Sequence, residues 1–259
     1  MKAFEIYEHL LRGVISRLEP TCDGLVAGDP EKEINKIGVC FKLTAELVDK
    51  AVAAGVDMII THEPTFATAS TICEVSGIDT LKAELINKSG MAVYRFHDHA
   101  HHREDDYIHA GFIRSLGLKI KHKYPIESLG VRRYELDEQL TTRELATRIR
   151  DILGVDPVRI VGRDDYPLKT VCLGLGGVGF AQINKLFDPG CDLFVTGEVG
   201  EVCIDEYVRD ACYFGMNKSV LVLGHYSSEY AGMRFLAEEL NETLLPAIFL
   251  EGGEVYRAV

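Results

Sequence analysis

Side chains able to ligate a metal gather at three points of the 259-residue chain. His62-Glu63 follows the apolar run Met58-Ile59-Ile60, and His97-Asp98-His99-Ala100-His101-His102 follows Met91–Phe96. His225, with Glu229 four residues on, follows the apolar stretch 219–224. These three points hold six of the nine histidines. Imidazole and carboxylate together suit zinc, iron, manganese or nickel better than calcium, whose shell is all oxygen. With Ser227 as the expected N-cap, Glu229 falls in the first turn of a helix and points back toward His225. Any one strand-end histidine is as readily a hydrogen-bonded structural residue, and 97–102 alone reads equally as a solvated polar loop. Three separate strand ends offering the same chemistry favour a metal site.

Elements must bring those points together. The pattern alternates strand and helix almost from end to end. Helices are expected over 3–18, 44–55, 79–89, 105–116, 141–153, 179–187, 200–213 and 228–240. Strands are expected over 36–41, 56–61, 91–96, 131–136, 157–162, 170–175, 191–196, 219–224 and 246–250. Such alternation implies βαβ units, hence an α/β fold of two halves with mainly parallel sheets. In these sheets ligands bind beyond the carboxyl ends of the strands, which is where the histidines fall. The polar, weakly patterned stretch Lys119–Gly130 divides the chain into expected halves 1–125 and 126–259.

Lys and Arg number 28 against 40 Asp and Glu, a net charge of −12. That balance disfavours a nucleic-acid backbone or an anionic membrane surface as partner. No apolar run approaches the roughly 20 residues that span a bilayer, and the first residues lack a signal-peptide pattern. Seven cysteines with no C-x-x-C read as reduced thiols of a cytoplasmic protein, without disulfides or a Cys-type zinc site. The stretch Gly174-Leu175-Gly176-Gly177-Val178-Gly179 formally fits G-x-G-x-x-G. It lacks a well-placed downstream acid, so a tight strand-to-helix turn is the stronger reading over a dinucleotide site. Between the two stands an anion cradle formed by Gly176, Gly177 and Gly179 at a helix start. There is no P-loop and no G-x-S-x-G elbow. Asp23 and Asp29 read as loop-forming acids beside glycine.

The segments Asp23–Asp29, Ile59–Pro64, Gly176-Gly177-x-Gly179-Phe180, Thr196–Glu201 and Gly224–Glu229 occur in that order. Together they resemble the Nif-three-like family, also catalogued as GTP cyclohydrolase I type 2, over nearly the whole chain. The resemblance implies a two-domain α/β fold with two divalent ions in the cleft between the halves. It also implies a homo-oligomer, commonly a hexameric ring, and it implies His62, His225 and Glu229 as metal ligands. The chain departs from the family twice: Glu63 stands where the family has a second histidine, and His101 where it has an aspartate. The two departures exchange types, so His62, Glu63, His101, His225 and Glu229 keep an inventory of three imidazoles and two carboxylates. His97, Asp98, His99 and Glu198 are candidates for the surrounding shell that orients ligands, although Asp98 and His99 can equally face water. Glu198 can also be a general base or, like Glu201, a helix-start acid favoured by the dipole.

Two divalent ions suit hydrolysis by an activated water. The cyclohydrolase label adds a nucleotide or phosphorylated small molecule as substrate. The alternative is a non-enzymatic scaffold or regulatory protein that metals stabilise. No catalytic residue is assigned from the sequence.

Overall fold

The computed structural model describes residues 1–126, 128–178 and 190–256. They divide into two units, Met1–Tyr107 with Gly232–Gly252, and Ile108–Ala231 with the residues from Gly253 onward.

The first unit holds α1 (Ala3–Leu10), β1 (Gly24–Ala27), β2 (Ile37–Cys40), α2 (Ala45–Ala53), β3 (Met58–Thr61), α3 (Ile78–Ser89), β4 (Ala92–Arg95), the one-turn α4 (Asp98–His101) and β11 (Ala247–Phe249). Its sheet runs β1-β4-β3-β2-β11. Every pair is parallel except the edge strand β1, which is antiparallel to β4. Ile37–Cys40 and Met58–Thr61 are buried at every position, as expected of strands covered on both faces. The register sets Cys40 beside Thr61 and Thr61 beside Arg95, so β2, β3 and β4 end level. His62 and His97 leave from that line. Gly24 pairs with Arg95, which carries Asp23 to the same edge.

The second unit holds β5 (Ile120–Lys123), β6 (Arg132–Leu136), α6 (Thr142–Leu153), β7 (Arg159–Gly162), β8 (Thr170–Gly177), β9 (Leu193–Glu198), α7 (Glu206–Tyr213) and β10 (Ser219–Val222). Helix α5 (Tyr107–Leu116) opens on the last residue of the first unit, and α8 spans His225–Thr243. The sheet order is β5-β6-β8-β9-β10-β7. The central trio β8, β9 and β10 is parallel, and the outer strands join antiparallel. Cys172, Phe194, Val208, Val220 and Val222 form part of one core on this sheet. Gly174 and Val222 both align with Thr196, where β10 ends, while β8 and β9 run on to pair Gly177 with Glu198.

The two sheets share a device at their central strand ends. Buried Thr61 donates its hydroxyl to the Glu63 carbonyl at 3.2 Å, and buried Thr196 donates to the Glu198 carbonyl at 3.1 Å. Each threonine is followed two residues on by a glutamate, Glu63 just past the end of β3 and Glu198 at the last position of β9.

Several expected elements change. The helix expected over 3–18 stops at Leu10, because Gly13 turns the backbone to φ +88°. Beyond it Val14 bridges to Arg103, and Ile15 donates its N–H to the His102 carbonyl at 2.9 Å. The polar, weakly patterned stretch expected to divide the halves contains β5, which pairs with β6. β1 was also not expected; only four residues long, it lacks a period to read. Helix α8 begins at His225 itself, so Ser227 lies inside its first turn and is not the N-cap. The helix expected over 179–187 lies outside the described residues, as does Gly179.

Candidate metal site

In the first unit the level ends of β3 and β4 put His62 beside His97, and α4 returns His101 one turn later on the face of His97. Ring centroids are 4.4 Å apart for His62 and His97, and 5.1 Å apart for each of the other two pairs. One ring nitrogen of each lies within 4.8 Å of the others. His62 is fully buried and His101 nearly so.

A common tether fixes each ring. His62 Nδ1 lies 3.1 Å from the Phe96 carbonyl, His97 Nδ1 2.9 Å from Asp98 Oδ1, and His101 Nδ1 2.9 Å from Asp106 Oδ2. Each partner is an oxygen acceptor, so the proton sits on Nδ1 and the ligand lone pair on Nε2. A hydrogen bond of this kind is how a metal-ligating imidazole is usually oriented. The His97 imidazole holds the Asp98 carboxyl well below the usual carboxylate range; burial opposes this, while Cys22 N–H and the Thr21 hydroxyl reinforce it. Burial drives the His62 imidazole well below its ordinary value, and the neighbouring His97 and His101 rings push the same way. A neutral imidazole is the form that binds metal. Glu63 Oε1 stands 3.6 Å from His97 Nε2.

His99 is built differently. Its Nδ1 and its backbone N–H both meet Asp23 Oδ2 at 2.8 Å, and its Nε2 accepts the Leu18 N–H at 3.0 Å. Both ring nitrogens are therefore used within the fold. Asp23, expected only as a turn former, also accepts the backbone N–H groups of His97 and Asp98 and so organises the whole histidine turn. His102 points elsewhere, to the Ser16 hydroxyl at 3.0 Å.

In the second unit His225 opens α8 between two carboxylates: Nδ1 lies 2.8 Å from Glu198 Oε1 and Nε2 3.4 Å from Glu229 Oε2. Glu229 is 2% exposed, whereas the Glu198 side chain is 62% exposed. Gly176, at φ +72°, lies against both ligand candidates: a Cβ there would run into Glu229 Oε1 and stand 2.9 Å from His225 Nε2. Its N–H is donated to Ser228 Oγ at 2.9 Å. A Cβ on Gly177 would stand 3.5 Å from Glu198 Oε2. The glycine stretch thus leaves room for the His225–Glu229 pair.

These donors fit a borderline divalent ion. Each cluster offers imidazole nitrogen beside carboxylate oxygen, the imidazoles are held by acceptors on the nitrogen facing away from the ligand position, and Gly176 leaves space at the carboxylate. Sequence reasoning missed Asp106 and undervalued Asp23. Neither had a usable pattern, since Asp106 lies past a turn and Asp23 some seventy residues before its partners.

A two-sheet α/β protein with imidazole and carboxylate donors grouped at its strand ends is the class defined so far. The chain belongs to the DUF34/NIF3 (NGG1p interacting factor 3) family, whose pattern matches residues 13–251, as the motif resemblance implied. It is 29% identical over 233 residues to a GTP cyclohydrolase 1 type 2 homolog of Clostridium perfringens, covering 85% of this chain and 83% of that one. Among solved structures, protein ybgI, described as of unknown function, superposes with TM-score 0.77 at 26% identity, covering 99% of this chain and all of that one. Staphylococcus aureus protein SA1388 reaches TM-score 0.79 at 19% identity, covering 100% and 99%, a likeness of fold alone. Among the described residues no helix is long and apolar enough to cross a membrane.

Proposed function

We propose that this chain is a metal-dependent hydrolase acting on a nucleotide or phosphorylated small molecule, with two divalent ions of the zinc, iron, manganese or nickel type held by His62, Glu63, His101, His225 and Glu229. The observation that carries the reading is the grouping of His62, His97 and His101, each tethered through Nδ1, with one ring nitrogen of each within 4.8 Å of the others. His99, also tethered through Nδ1, instead uses its Nε2 to accept the Leu18 N–H. The name of the Clostridium perfringens relative supports the substrate class.

When bound, such ions lower the pKa of a water and stabilise developing negative charge on oxygen. The chain's own groups do the rest. Phe96, Asp98 and Asp106 hold three rings in one orientation, and Glu198 does so for His225. Glu198 uses Oε1 for that bond. Its exposed position leaves Oε2 to accept a proton from water or substrate. A homo-oligomer, as a hexameric ring, and a cytoplasmic location complete the reading.

The burial of His62 and Glu229 also favours a second reading, a closed, metal-stabilised scaffold without turnover. Turnover of GTP and of generic phosphoesters with added manganese, iron or zinc, compared with His225→Ala, separates the two. Hydrolysis that needs metal and vanishes in the variant is expected. Absence of turnover in every metal, together with a large metal-dependent rise in Tm, establishes the scaffold instead.

A further inference from the structure

Arg95 closes β4 where the strands end level, paired to Thr61 on one side and to Gly24 on the other. Its Nε donates to the His62 carbonyl at 3.0 Å, which anchors the side chain beside the histidine cluster. A guanidinium carries five N–H donors in one planar fork. Among the described residues nothing accepts from the others, and no carboxylate stands within ion-pair distance. The acids of the neighbouring turn are committed elsewhere: Asp23 to three main-chain N–H groups and the His99 ring, Asp98 to His97, Thr21 and Cys22. We propose that Arg95 is a substrate-binding residue whose open fork receives a phosphate group at the strand ends of the first unit. The inference rests on the phosphorylated-substrate reading above and deepens it, naming the side chain that holds the phosphate.

The chemistry follows from that setting. In a chain of net charge −12, a partly buried cation ordinarily ends on a carboxylate. A carbonyl holds this one instead, which fixes its place without cancelling its charge. That charge is felt nearby: burial pushes the Cys22 thiol up, and Arg95 is the strongest influence drawing it back. The carboxyl ends of parallel strands are where such sheets take ligands. Two parallel N–H···O bonds from one fork match the edge of a phosphate, and pairing of opposite full charges makes them strong. An uncharged ester offers no equivalent partner, so Arg95 favours phosphate-bearing substrates over neutral ones. Were the His62 carbonyl its whole task, a neutral donor would serve as well, and the charge would have no use.

Binding of inorganic phosphate to the zinc-loaded full chain, by isothermal titration, tests the proposal. The comparison covers the wild type, Arg95→Gln and Arg95→Lys, with zinc content measured in each and folding checked by circular dichroism. Arg95→Gln is expected to weaken phosphate binding about 10–100-fold at unchanged zinc content. Arg95→Lys keeps the charge but not the fork, and is expected to lose less. In the wild type, phosphate is expected to protect Arg95 from phenylglyoxal, read by mass spectrometry of the peptide that carries it. Unchanged phosphate affinity in Arg95→Gln would overturn the proposal. So would loss of zinc together with phosphate in that variant, since Arg95 would then be only a prop for His62. If neither variant folds, modification of Arg95 at full rate in phosphate-saturated wild type overturns it instead. A wild type that binds zinc and phosphate without turnover sinks the hydrolase reading alone, whereas one that binds zinc but no phosphate sinks this inference and leaves the metal site standing. A wild type without zinc sinks the metal reading, and phenylglyoxal protection in the metal-free chain still decides the role of Arg95.

Discussion

At the scale of single residues the site depends on groups that touch no ligand. Asp106 Oδ2 holds Nδ1 of His101 at 2.9 Å. Asp106→Asn keeps the shape but replaces a carboxylate with an amide. It is expected to weaken metal binding about 10–100-fold while leaving the far-ultraviolet circular dichroism unchanged; isothermal titration with zinc reads the difference. Gly176 is the opposite case, valuable for what it lacks. Alanine there meets Glu229 Oε1 and also takes a left-handed backbone conformation, which alone costs about 1–3 kcal/mol. Gly176→Ala is expected to lower Tm and to abolish metal binding by His225 and Glu229, as measured by scanning calorimetry and metal analysis. The histidines themselves were legible in the sequence because each follows an apolar strand that any reader would mark. Asp106 and Asp23 were not, because a carboxylate's partner is decided by which strand lies next to which. Gly176 was noticed as a glycine, but that it makes room for a glutamate fifty-three residues later is a tertiary fact.

Among the elements, helices that begin on strong caps were readable from sequence. Thr141 opens α6 with a capping box, accepting the Glu144 N–H at 3.2 Å while Glu144 accepts the Thr141 N–H at 2.8 Å. Thr141→Ala is expected to cost about 1 kcal/mol, seen as a lower urea midpoint at unchanged slope. Where the sequence misled, the cause was an interaction with a distant segment. The apolar stripe drawn through residue 18 ignored the partners that draw Val14 and Ile15 to residues 102–103. The start of α3 shows an element securing a loop. Asp79 Oδ2 accepts the N–H groups of Ala67 and Thr68 and the Thr68 hydroxyl, fastening the segment that follows Glu63. Burial alone would raise its pKa, but these hydrogen bonds outweigh it and leave the carboxyl below its ordinary 3.8. A depressed pKa in the folded state contributes stability that is present above about pH 4 and is lost as pH falls through the folded value. Asp79→Asn is therefore expected to destabilise the protein at neutral pH and to flatten its acid-side loss of stability, as read from Tm against pH.

For the molecule as a whole, sequence alternation was enough to read an α/β chain with two sheets, because parallel strands leave near-continuous apolar runs. The antiparallel edges were harder, since short, half-exposed strands such as Ile120–Lys123 carry no such run. An ion bound only by the folded state raises the stability of the whole fold, by about 4 kcal/mol when free metal is a thousandfold above Kd. Dialysis against a chelator is thus expected to lower Tm, and readdition of zinc to restore it.

Asp23 accepts the N–H groups of three successive residues of the histidine turn, while Leu18 and Cys22 in the preceding segment donate theirs to His99 and Asp98. Two stretches of chain some seventy-five positions apart are therefore stitched into one hydrogen-bonded patch. Zinc, in seizing the rings, should slow isotope uptake at the amides of Leu18 and Cys22, neither of which is among the proposed ligands. Those two amides become built-in reporters of occupancy, readable by hydrogen exchange with no change to the protein.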